Sequence, residues 1–180
     1  MKNGLSISWI AFHDLPLANA ALVFGLAQTG ETDEVFDFAY NGAVVGKNWS
    51  VVIFDDVNMD LVDGKHMASL SAGRDVVVVH NIDTVMLQWA EQWRDGHEVW
   101  SIRHTSADGA RNLEVTGNLP SCFDEIRGAR FADQDREDAG AAEIDFIADT
   151  PLQVAECVTG FRHDTTEAEF TELVPAPDEA

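Results

Sequence analysis

Asp55, Asp56, Asn58, Asp60 and Asp63 follow one another closely enough to suggest a cation site. A calcium loop takes oxygen ligands at alternate positions because the turning chain carries them round one hard ion. Asp56, Asn58 and Asp60 occupy the first, third and fifth positions of such a loop. The sixth is Leu61, where the sharp turn needs glycine, and the twelfth is Met67, where a bidentate Glu is needed. A second acidic run, Asp133, Asp135, Glu137 and Asp138, fails in the same way, with Asp138 at the sixth position and Ile144 at the twelfth. Both runs are therefore read as solvated loop carboxylates, with no metal expected.

Nucleophilic chemistry has one candidate. Cys122 stands beside the start of an expected helix, where the dipole lowers a thiol pKa, and a nearby histidine would make it a nucleophile. No residue pattern supplies the base or the oxyanion hole, and an ordinary half-buried cysteine fits as well. Histidines 13, 66, 80, 97, 104 and 163 are scattered and form neither HExxH nor a Cys/His ligand set. His104 shares a strand face with Trp100 and Ile102, which suits a core-edge histidine with its hydrogen bonds satisfied. Trp89 and Trp93, with Met86, read as a core stripe rather than a ligand platform. GxSxG, GxGxxG and Walker patterns are absent, so no cofactor is expected.

Charge narrows the partners. Against 32 Asp plus Glu there are 11 Lys plus Arg, a formal net charge of -21. Such a field repels nucleic acid and anionic membrane and steers basic proteins inward. Maintenance of solubility, as in a salt-adapted proteome, is the plainer reading of the same acidity. Residues 91–180 carry 21 acids against 7 bases, residues 1–90 only 11 against 4. The longest apolar runs, 20–27 and 76–79, are much shorter than the roughly 20 residues a membrane helix needs. Trp9, His13 and Asp14 interrupt the one stretch resembling a secretion signal. Two cysteines are too few for a disulfide framework, so a reducing cytoplasm is expected.

The elements that would position these groups follow from periodicity and turn chemistry. Strands are expected at 5–12, 34–45, 48–55, 76–80, 97–105, 112–117 and 144–148. Asn41-Gly42 and Gly46-Lys47 punctuate a first hairpin, and 107–110 turns a second. Helices are expected over 15–27 after Asp14 and from Asp83 to Asp95-Gly96, where Val85, Met86, Trp89, Ala90 and Trp93 fall three and four apart. Further helices open at Ser121, on Phe123 and Ile126, and at Thr150-Pro151, the last closed by Gly160. Residues 56–74 read as a loop with a turn of helix, and the acidic 164–180 as a flexible tail after a single domain at 1–163.

Strand, helix, strand, strand occurs over 5–55 and again over 76–117, with Glu34-Val35-Phe36 and Glu98-Val99-Trp100 at equivalent places. The expected fold is α+β: a two-layer, mostly antiparallel sheet with helices on one face, two βαββ repeats and a C-terminal α-β-α extension. In size, acidity and expected compartment the chain resembles, at class level, the small acidic immunity proteins with which bacteria neutralise toxins. That resemblance implies a non-catalytic inhibitor whose carboxylates meet a basic protein such as a toxin. Asp55, Asp56, Asp60 and Asp63 are its first expected contact, and Asp133, Asp135, Glu137 and Asp138 the second. A small hydrolase or transferase using Cys122 or the carboxylates, and a scaffolding subunit, are the alternatives.

Overall fold

Val76, Val77, Val78 and Val79 have no face that water would favour, and all four are fully buried at the centre of the structure. The computed structural model describes residues 6–35, 37–140 and 144–177. The four valines belong to β5 (Asp75–Ile82), which pairs antiparallel with β1 (Ser6–His13) on one side and β6 (Leu87–Arg94) on the other. Outward from β1 lie β4 (Trp49–Phe54), β3 (Tyr40–Val45), β9 (Phe170–Pro175) and β2 (Leu26–Asp33). Outward from β6 lie β7 (His97–Thr105) and β8 (Glu114–Gly117). The described strands make one open, antiparallel, nine-stranded sheet, and the protein is α+β.

Period-two alternation divides β1 between two cores. Ile7, Trp9 and Ala11 face α3 (Phe123–Asp138) and α4 (Thr150–Thr159), packing with Phe123, Leu152, Val154 and Ala155. Ile10 and Phe12 face α1 (Leu17–Leu22) and α2 (Gly64–Leu70), packing with Leu17, Ala20, Ala21 and Met67. The four helices are thus shared between the two faces rather than gathered on one. A sheet buried on both sides needs both covers.

Several local expectations change. Residues 83–95 hold no α-helix: a 3-10 turn (Asp83–Val85) ends at left-handed Met86, and β6 follows. The helical spacing was coincidental, because Trp89, Glu91 and Trp93 line one face of a strand while Gln88, Ala90 and Gln92 line the other. Asp95 and Gly96, at φ of 50° and 79°, form the two-residue hairpin turn to β7 instead of a helix stop. With that helix gone, the second half of the expected repeat is a plain meander. The first helix is only six residues long, and the polar 28–33 stretch after it is part of β2. Residues 144–148 are not a strand; they lead into a 3-10 turn (Ile147–Asp149) that runs on into α4.

Part of the expected flexible tail is also ordered. Phe170–Pro175 inserts as β9 between β2 and β3, where Phe170 and Leu173 are 2% exposed on opposite faces. The β7–β8 hairpin and α4 closing on left-handed Gly160 lie where the sequence places them; in the first hairpin β3 begins at Tyr40 rather than 34, so Asn41-Gly42 lies inside the strand and only 46–48 make the turn. Leu5, Phe36 and residues 178–180 lie outside the described residues. Among the described residues no helix is long and apolar enough to cross a membrane.

Candidate functional site

Where β4 ends at Phe54, the chain leaves the sheet into the first acidic run. Local bonds hold this loop. The Asp55 amide donates to the Ala39 carbonyl at 3.1 Å, and the Val57 amide to Asp56 Oδ1 at 2.7 Å. The Asn58 amide reaches into the sheet, donating to Ser8 Oγ at 3.0 Å, and the Asp60 amide donates back to Asn58 Oδ1 at 3.0 Å. Leu61, fully buried against the α1/α2 face, anchors the segment. Asn58 thus caps the 3-10 turn Met59–Val62, and among the described residues no three His, Cys, Asp or Glu side chains are grouped to hold a metal ion.

Facing the loop, α1 ends and the chain turns through Val23, Phe24 and left-handed Gly25 into β2. Between turn and loop lies an open groove of about 830 Å³. Its floor is aromatic. Phe24 packs edge-on against Phe54 with centroids 5.2 Å apart, and Tyr40 meets Phe54 edge-on at 6.0 Å. Val23, Leu26 and Met59 extend the apolar lining, Val23 being 40% and Met59 68% exposed. Asp55, Asp56 and Asp60 line the loop side with their residues exposed, and His66 of α2 completes it. The arrangement has apolar walls with carboxylates along one rim.

Asp63 is not among the lining residues. It caps α2, its carboxylate accepting from the Lys65 amide at 3.0 Å. The second acidic run lies on the other side of the sheet, along α3, and is engaged by arginines. Asp133 pairs with Arg130 at 2.6 Å and with Arg136, while Asp135 and Asp138 share Arg111 at 2.7 and 2.6 Å. Asp138 also accepts from Gln134; that bond and Arg111 hold its carboxyl below the usual carboxylate range. Glu137 accepts from the Ile144 amide at 3.3 Å. These residues lie on a helix, not in the solvated loop expected.

Cys122 is bonded to Cys157, joining the start of α3 to α4 across a Cα separation of 6.8 Å. No free thiol remains to attack a substrate, so Cys122 is neither the nucleophile nor the ordinary half-buried cysteine expected; α3 packing on α4 brings the two cysteines together. His104 uses both ring nitrogens structurally, Nδ1 lying 2.6 Å from the Asn112 carbonyl oxygen and Nε2 2.9 Å from Asp145 Oδ2. Trp89 and Trp93 are on a strand: the Trp89 ring packs against His80 and beneath Arg103, and Trp93 Nε1 donates to Glu91 at 2.5 Å.

Two buried ionisable groups escape a reading by motif. His80 is 1% exposed on the α1/α2 face, its Nδ1 2.9 Å from Ser8 Oγ. Burial lowers its pKa to about 4, the backbone at Leu61 opposing that shift, so it is neutral at neutral pH. Glu91 is 3% exposed; burial raises its carboxyl to about 7, the Trp93 bond opposing and the charge of Glu98 adding to the rise. A histidine closing a valine run was the one visible signal. The groove floor gives none, since Phe24, Tyr40 and Phe54 come from three separate segments.

Comparison with protein-family models, with curated proteins and with solved structures finds no match.

Proposed function

We propose that the protein is a non-catalytic, immunity-like inhibitor that binds a basic protein partner through the groove between the 55–60 loop and the α1–β2 turn. The observation that carries this reading is the combination of exposed apolar wall with an acidic rim at one place. An apolar lining exposed at Val23 and Met59 contributes hydrophobic burial on docking, while the rim and the overall charge of -21 steer the encounter. The α3 carboxylates supply long-range field but are already met by the protein's own guanidinium groups. The Cys122–Cys157 bond suits an oxidising compartment, and in a cytoplasm it would be transient; the binding proposal holds in either.

Affinity capture at low salt, elution with salt and isolation of the retained basic protein give the partner for a kinetic test. Asp56→Asn with Asp60→Asn should slow association by about tenfold at low ionic strength, with the two rates converging at high salt. An unchanged on-rate would remove the 55–60 rim from the interface.

A further inference from the structure

Resting on that reading, we infer that the groove accepts an extended segment of the partner in which arginine or lysine residues flank a bulky apolar side chain. The groove is open, and its volume of about 830 Å³ is in the range of clefts that take a small ligand or a short stretch of chain, more than one ion needs. Its two sides ask for different chemistry. Phe24, Tyr40 and Phe54 form a floor that can take an aliphatic or aromatic side chain, and the exposed Val23 and Met59 extend the apolar lining. Asp56 and Asp60 stand on the loop side only, so charge is demanded along one margin. Arginine and lysine satisfy both demands in one residue. Their methylene stems lie on apolar surface while the head group reaches out to carboxylate, and a guanidinium can also rest on an aromatic face. A purely apolar segment would leave the rim unmatched, and a purely basic one would leave the floor wet. Nucleic acid and anionic lipid are repelled by the same carboxylates and by the net charge of -21.

Tyr40 is the single tyrosine of the chain, so tyrosine carrying ¹³C in its ring gives one ring environment on the groove floor. The probe is the peptide acetyl-Arg-Leu-Arg-amide, with two controls: citrulline replacing both arginines, and serine replacing the leucine. The Tyr40 signal should move saturably with the first peptide, and each control should bind about tenfold more weakly or worse. Met59→Lys, at an exposed position that leaves the core intact, should weaken the first peptide by a similar factor. A silent Tyr40, or either control binding as well as the first peptide, overturns the inference. If Tyr40 stays silent while the captured basic protein still associates in a salt-sensitive way that depends on Asp56 and Asp60, the groove mode fails and the inhibitor reading stands. If association with that protein depends neither on salt nor on those carboxylates, the inhibitor reading fails as well.

Discussion

The two faces of the sheet handle charge in opposite ways. On the α3/α4 face, carboxylates and guanidinium groups are interlaced: Arg130 with Asp133, Arg111 with Asp135 and Asp138, and Arg162 with Asp149 and Asp164, while a disulfide ties the two helices together. On the α1/α2 face, two helices of six and seven residues leave a groove with an acidic rim, and Ser8, His80 and Glu91 are buried in the sheet beneath. Similar runs of acid in the sequence therefore end in different surroundings. What separates them is the company each keeps: arginines around one, exposed apolar surface around the other.

The largest effect should come from unfastening the first face. Cys122 and Cys157 are 35 residues apart, and a cross-link closing a loop of that size contributes about 4 kcal/mol by restricting the unfolded chain. Reduction should lower the melting midpoint by roughly 10 °C for a chain of this length, followed by calorimetry with and without dithiothreitol. Peptide binding at Tyr40 should be unaffected well below the new midpoint. Loss of that binding on reduction would show that the faces are coupled, and the contrast between them would break.

A somewhat smaller effect belongs to the buried groups of the other face. Glu91 binds its proton more tightly in the folded chain, so its contribution is fully present below the unfolded value of 4.5 and is lost as pH rises through about 7. His80 binds its proton less tightly when folded, so its contribution is present above 6.5 and is lost as pH falls towards about 4. Each shift corresponds to roughly 3 kcal/mol over its window, with opposite sign. His163, beside Arg162, is lowered by burial and acts in the sense of His80. Glu91→Gln should therefore steepen the rise of stability between pH 4.5 and 7, and His80→Asn should flatten or invert it, in urea midpoints measured across that range. Identical profiles for both variants and the parent would remove these two groups as the source of the pH dependence.

The legible parts of the molecule were those whose signal is local. β-favouring composition marks β1, alternation marks β7, the Val run marks β5, and Thr150-Pro151 with Gly160 brackets α4, because each depends on residues a few positions apart. β6 was misread because both its faces are covered: Trp89 and Trp93 lie on one and Ala90 on the other, which erases alternation and leaves a spacing that imitates a helix. β9 was hidden by its composition, since only Phe170 and Leu173 give apolar anchors in an acidic segment that neighbouring strands hold in place. For the site, the rim was legible as a contiguous run and the floor was not, because Phe24, Tyr40 and Phe54 converge only once β3, β4 and the α1–β2 turn have assembled.

The smallest effect on stability, and the sharpest test of the contrast, lies at Arg111. Its guanidinium bridges Asp135 and Asp138 from the segment between β7 and β8, with all three side chains exposed to solvent over about half of their surface or more, where ion pairs contribute little to folding. Arg111→Gln keeps most of the stem and should leave the melting midpoint unchanged within error. It also leaves two α3 carboxylates without their shared cation. If pairing with guanidinium groups is what separates the α3 carboxylates from Asp56 and Asp60, the variant should acquire a second, weak site for acetyl-Arg-Leu-Arg-amide on α3. That site should be more salt-sensitive than the groove because no apolar floor supports it. Asp135→Asn with Asp138→Asn in the Arg111→Gln background should abolish it without moving the Tyr40 signal. If Arg111→Gln gains no binding, pairing is not the deciding difference, and what distinguishes the groove is its apolar wall: carboxylates alone, free or paired, would then be insufficient to hold a basic segment on this protein.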